Sequence, residues 1–277
     1  MKNILIIVFL TFSFFSCQSK SEKIAVDVKE NRVKINQDSL VYDKSIQTAH
    51  VFVALCDNKY QGIVPVPEKI GDGQDPANNL YWGAMYGVKS FFKNSKDWKL
   101  LKSSKINDTI LERLVFKHKT KNFYLIADAY DGKEIQKTTT DFLYSSSGQE
   151  KDTLQINGKA IGIKGNANLI TYIGHDGLMD FELKDDFKNE DQKQRDVIIL
   201  ACYSKRFFGP HLEDAKVNPL VWTSNLMAPE AYILHDALTG YLNKESNTEI
   251  QTRAAAAYSK YQKCSLKAAK NLLITDW

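Results

Sequence analysis

The sequence predicts an α/β protein, a three-layer sandwich with a mostly parallel central sheet. Two observations carry that expectation. Short apolar runs rich in β-branched residues ("HVFVAL", "NLITYIG", "DVIILAC", "PLVWTSN") read as strands buried on both faces rather than alternating ones. Between and after them lie segments with apolar residues at helical spacing. Strands and helices alternating in this way cover a parallel sheet on both sides. In such sheets ligands bind at the carboxyl ends of the strands.

The chain has 277 residues, 43% hydrophobic and 25% charged, with a formal net charge of +4. That supports an ordinary core. Lysines and acids interleave, so nothing reads as a nucleic-acid stripe. Residues 1–16 have the build of a secretory signal, with Lys2, an apolar run from Ile4 to Phe15 too short to span a bilayer, and small Ser16 before Cys17. The Ser16-Cys17 junction resembles the lipobox of bacterial lipoproteins, which implies lipidation at Cys17. Polar residues 17–47 read as the lipidated N-terminus and a tether that picks up a short strand near Val33–Ile35. Residues 48–277 are the α/β domain. The expected location is the cell envelope, anchored by lipid and facing the periplasm or the cell surface. Cys56, Cys202 and Cys264 cannot all pair, so at least one thiol is free or bonds to another molecule.

Each element follows from a local signal. Val51 to Leu55 is a buried strand bounded by polar turn residues. Asp75 as N-cap, Pro76 in the first turn, and Leu80, Ala84, Val88 and Phe92 at four-residue spacing predict an amphipathic helix. "ERLVFKHKTKNFYLIADAY" holds two strands around a polar turn, and "DGKEIQKTTTDFLYSSSG" is a helix that Gly148 ends. Asn157-Gly158 predicts a tight hairpin turn. The strands "NLITYIG" and "DVIILAC" follow, with Lys184 to Arg195 between them as a surface excursion. "PLVWTSN" is a further strand. Pro229 opens a helix whose inner face is Leu234, Ala237, Leu238 and Tyr241. A last helix, about Ile250 to Leu273, carries Ala254, Ala257, Tyr261, Cys264 and Ala268 on one stripe, which makes Cys264 a structural thiol.

Cys202 and His175 stand at the carboxyl ends of successive strands. A cysteine nucleophile needs a base, or a partner that favours the thiolate, and donors for the oxyanion. Gly177 would let the backbone turn and offer an N–H. An apolar strand followed by His and Gly, then an apolar strand ending in Ala-Cys, resembles the caspase, gingipain and legumain group of cysteine peptidases. "VWTSNLMAPEAYILHDALTGYL" is similar to the strand-loop-helix bordering that group's substrate pocket. The resemblance implies a caspase-like fold and peptide-bond hydrolysis by Cys202 as nucleophile and His175 as catalytic histidine. It further implies an oxyanion site from the N–H groups of Gly177 and Cys202, and a pocket bordered by Trp222, Thr223 and Ser224. Asp176 stands between the histidine and the glycine, which are usually adjacent in the group.

Asp57-Asn58, and Asp128 with Asp131, follow strands and either face the same cleft, where an acid would favour a basic substrate side chain, or cap turns. Asp72 and Asp75 in "GDGQD" fit no complete calcium loop and read as a turn. His211 and His235 form no zinc pattern with any cysteine, and no phosphate-loop or dinucleotide glycine pattern is present. No metal or cofactor is expected. The expected partners are a peptide or protein substrate and, through the lipid, a membrane, not nucleic acid. The alternative is a non-catalytic binding or scaffolding lipoprotein on the same fold. A Cys56–Cys202 disulfide is excluded if the histidine strand lies between theirs, since two strand spacings, roughly 9–10 Å, are too far to bridge.

Overall fold

The computed structural model describes residues 41–277. The expected signal segment, the expected lipidation site Cys17 and the strand expected near Val33–Ile35 lie outside the described residues. The elements in chain order are β1 (Gln47–Ala54), α1 (Val88–Lys93), β2 (Trp98–Ser104), β3 (Ile110–His118), β4 (Phe123–Tyr130) and α2 (Ile135–Ser147). They continue with β5 (Lys151–Ile156), β6 (Lys159–Lys164), β7 (Leu169–Ile173), β8 (Asp196–Leu200), α3 (Ser204–Leu212) and β9 (Asn218–Thr223). The chain closes with α4 (Ala231–Leu242), α5 (Asn247–Gln262), α6 (Leu266–Leu272) and β10 (Leu273–Ile274).

One eight-stranded sheet has the order β10-β9-β8-β7-β1-β4-β3-β2. From β9 to β4 the neighbours are parallel; β3 and β10 run antiparallel to the strands they join. Alternation along β1 builds the three layers. Ala49, Val51 and Val53 face a core closed by α1, α4 and α5. Phe52 and Ala54 face the opposite core under α2 and α3. The antiparallel hairpin β5–β6 covers the rest of that second face with Ile156, Ile161 and Ile163. Its Asn157 and Gly158 both take positive φ, 51° and 75°, the type I′ conformation that matches strand twist. Gly148 ends α2 in the left-handed region at φ 80°.

Three expectations are corrected. Residues 75–87 form turns, and only Val88–Lys93 is helical. Asn79 organises these turns. Its side chain accepts from the N–H of Cys56 (3.1 Å) and Tyr81 (3.2 Å) and donates to the carbonyls of Cys56 (2.8 Å) and Asp72 (2.9 Å). An Asn buried in a continuous helix could not serve as this hub. The last helix breaks into α5 and α6, because Lys263 enters the left-handed region (φ 56°) and Ser265 starts a new N-cap. Cys264 sits in that break, half-buried against the core. The excursion from 184 to 195 is not surface throughout. Arg195 is 1% exposed, bonded to the Gly165 carbonyl (2.8 Å) and paired with Asp191 (2.6 Å).

Candidate active site at the carboxyl edge of the sheet

β7 and β8 are parallel, and their last register pair is Ile173 with Leu200. The Gly174 N–H still reaches the Leu200 carbonyl (3.2 Å), so the ladder runs on by one residue. His175 and Cys202 each stand two residues beyond that pair, past the end of the ladder, and no hydrogen bond or ion pair joins their side chains. The reason for their matching positions is local. Both strands are apolar to their last residue and then meet polar, turn-forming sequence.

His175 is 7% exposed, and its Nε2 lies 2.7 Å from Asp180 Oδ2. The same oxygen accepts the Gly62 N–H (3.1 Å), so the loop after β1 helps fix the carboxylate. The Tyr172 hydroxyl donates to the His175 carbonyl (2.8 Å). With Nε2–H donated to Asp180, Nδ1 is the nitrogen left to take a proton. Cys202 is half-buried and unpaired. Its Sγ accepts the Met227 N–H (3.4 Å) and lies 3.7 Å from the Met227 carbonyl. Burial pushes its thiol up, the Met227 N–H opposes that, and Asp176 adds to it. The resting sulfur is therefore a thiol at neutral pH.

Asp176, which separates His175 from Gly177, is fully buried. Its Oδ1 accepts the Leu178 N–H (3.0 Å) and its Oδ2 has no partner among the described residues. Burial, with a smaller contribution from the charge of Asp180, raises its carboxyl to about 7 against the Leu178 N–H, which lowers it. Behind this group lies a second buried thiol, Cys56, pushed up to about 11 by burial and hydrogen-bonded to the Tyr81 hydroxyl. β7 lies between β1 and β8, and Cys56, Cys202 and Cys264 are all free thiols.

Gly177 opens a short 3-10 turn, and a Cβ there would lie 2.6 Å from the Phe181 ring. Neither its N–H nor that of Cys202 donates to an acceptor among the described residues. Asp57 and Asn58 build turns. Asp57 Oδ1 accepts the N–H groups of Lys59 (2.8 Å) and Tyr60 (3.1 Å). Gln74 Nε2 bridges Asp57 Oδ2 (2.8 Å) and Asp131 Oδ1 (2.6 Å). Asn58 bonds both backbone groups of Val66. Asp72 and Asp75 likewise cap the N–H groups of Gln74 and Ala77.

Trp222 is fully buried, with its Nε1 donating to the Asp276 carbonyl (3.1 Å) and its ring against Trp277. Thr223 is buried as well. Its hydroxyl donates to the Ala201 carbonyl and accepts the Ser204 N–H (3.0 Å), which locks the turn around Cys202. Ser224 is exposed and donates to the Asn271 carbonyl (2.7 Å). The side chains of these three residues are engaged in holding strand ends together.

Asp128 is corrected. It lies inside β4, beneath the hairpin, and not in a cleft. Arg113 holds it bidentately (2.6 Å each) and His50 Nε2 stands 3.0 Å away. His50 Nδ1 accepts the Lys164 N–H (3.0 Å), so Nε2 carries the proton it gives Asp128. Arg113 and His50 hold the Asp128 carboxyl down at about 2 against its burial, while burial drives His50 down and keeps it neutral. Sequence reasoning missed this cluster, and also Asp180, Tyr81 and Met227. Asp180 alone left a trace, a carboxylate within one short loop of His175. Among the described residues no group of three or more His, Cys, Asp or Glu side chains could hold a metal ion. No helix among them is long and apolar enough to cross a membrane.

Compared with known proteins, the chain matches no family model, no curated protein and no solved structure.

Proposed function

We propose that this chain is a caspase-like cysteine peptidase, exported and lipid-anchored, that hydrolyses peptide bonds with a His175–Cys202 dyad. The observation that supports the reading is that each of these residues follows its strand's last register residue, Ile173 or Leu200, by two positions on adjacent parallel strands. In the reaction the Cys202 sulfur attacks the scissile carbonyl carbon while His175 Nδ1 takes the thiol proton. The imidazolium, steadied by Asp180, returns that proton to the leaving amine as the C–N bond breaks. Water then cleaves the thioester, releasing the acid and restoring the thiol. The free N–H groups of Gly177 and Cys202 are the donors offered to the oxyanion. Since the resting sulfur is protonated, deprotonation is coupled to substrate binding.

One observation favours a non-catalytic binding role on the same fold. Burial and Asp176 both oppose thiolate formation at Cys202. Labelling with a peptide-based thiol electrophile across pH, on wild type, Cys202→Ala and His175→Ala, separates the two readings. The peptidase reading expects covalent label on Cys202 in wild type, none in Cys202→Ala, and slow labelling in His175→Ala. Equal labelling of wild type and Cys202→Ala would overturn it.

A further inference from the structure

The opposite edge of the sheet carries a basic groove. It is lined by Lys99, Lys117, His118, Lys119, Lys121 and Asn122 at the turn between β3 and β4. Lys99 and Lys117 are direct cross-strand partners. Like charges placed opposite each other destabilise a sheet. Lys117 Nζ offsets part of that cost by donating to the Lys121 carbonyl (2.5 Å) and lying over the Tyr124 ring (4.7 Å), which leaves the positive charge concentrated at this turn. Lys159, at the start of β6, adds its charge to Lys117, whose ammonium is lowered by burial and by that neighbour. Among the described residues none of Lys99, Lys117, Lys119, Lys121 and Lys159 forms an ion pair with a carboxylate. The nearby Asp97 carboxylate lies 3.9 Å from His235 and also acts on His118 at the rim of the groove.

The N-terminal segment joins the domain at this same edge. The Gln47 N–H donates to the Asn122 carbonyl (3.2 Å), and the Asn122 amide donates to the Ser45 carbonyl (3.2 Å). Forty residues precede the first described one. β1 then runs for eight residues away from this edge, about 25 Å of extended chain, towards the edge that bears Cys202 and His175. The negative surface of an anionic membrane attracts basic side chains held near it.

We propose that this edge, centred on Lys99, Lys119 and Lys121, docks on anionic phospholipid headgroups and holds the domain with its opposite edge facing away from the membrane. The inference rests on the envelope reading of the N-terminus and is independent of peptidase activity. To test it, the full chain is incorporated into neutral phosphatidylcholine vesicles and into vesicles that also contain phosphatidylglycerol. Lysines are acetylated with a water-soluble reagent and quantified residue by residue. Lys99, Lys119 and Lys121 should react about fivefold more slowly on the anionic vesicles, the factor expected for one lysine held at such a surface. High salt should abolish the difference, and Lys260 and Lys267, on the last two helices, should react equally on both. In a Lys119→Glu/Lys121→Glu variant, protection of Lys99 should be lost. Equal rates at Lys99, Lys119 and Lys121 on both vesicles would overturn the proposal. A chain that stays in solution with neutral vesicles speaks against the anchor, and the basic edge is then judged by cosedimentation with anionic vesicles, where absence of binding overturns it.

Discussion

Replacing Asp176 by Asn removes a charge that the fold disfavours. The carboxyl is fully buried, one oxygen caps the Leu178 N–H, and the other has no partner. Raising it from an ordinary 3.8 to about 7 corresponds to ~4 kcal/mol, the cost of keeping it ionised in the folded protein. The sign follows from proton binding. Between the two values the folded chain holds a proton that the unfolded chain has released, so stability falls as pH rises from about 4 and the full cost applies above about 7. Asn keeps the acceptor for Leu178 and carries no charge. Urea denaturation of wild type and Asp176→Asn should therefore give similar stabilities near about pH 3, where Asp176 is protonated in both the folded and the unfolded chain, and a variant more stable by up to ~4 kcal/mol near about pH 8.5. A gap of the same size at both pH values would refute the reasoning. The variant should also label faster at Cys202 near neutral pH, because the Asp176 charge is one of the influences raising that thiol.

Three other substitutions test separate parts of the argument. Asp128→Ala leaves Arg113 and His50 buried without their anion and should cost ~3–5 kcal/mol in denaturant unfolding. Gly148→Ala forces a Cβ into a left-handed residue, 2.3 Å from the Arg195 guanidinium, and should lower the thermal midpoint by the equivalent of at least ~1 kcal/mol. Asn79→Ala strands the buried N–H and carbonyl of Cys56, at ~1–3 kcal/mol for each group left unsatisfied, and limited proteolysis should show faster cleavage within residues 71–87.

What could be read in the sequence was what one strand or one turn decides by itself. Leu169–Ile173 and Asp196–Leu200 announce themselves by composition, and parallel neighbours must release their last residues at similar height, so His175 and Cys202 were legible together. Asn157-Gly158 and Gly148 were legible because the conformations they adopt suit few other residues. The helix expected from Asp75 failed for a different reason. Its four-residue apolar spacing is real, but a buried Asn79 bonded to Cys56, a residue far back in the chain, outweighs local periodicity, and no local pattern reports that bond. Asp180 and Met227 escaped for the same cause. Each reaches the site because a loop folds back onto the strand ends, and the register of a loop is set by its contacts, not by its composition. The consequence is chemical as well as structural. The strands carry His175 and Cys202 to matching positions past their ends, but it is the loops that act on the ionisation of the sulfur, since Met227 offers it an N–H while Asp176 opposes its charge. On the proposed peptidase reading, activity then depends on whether bound substrate changes the balance between those two neighbours. Because only Asp176 of the pair titrates, the pH dependence of Cys202 labelling in wild type and Asp176→Asn reads that balance directly.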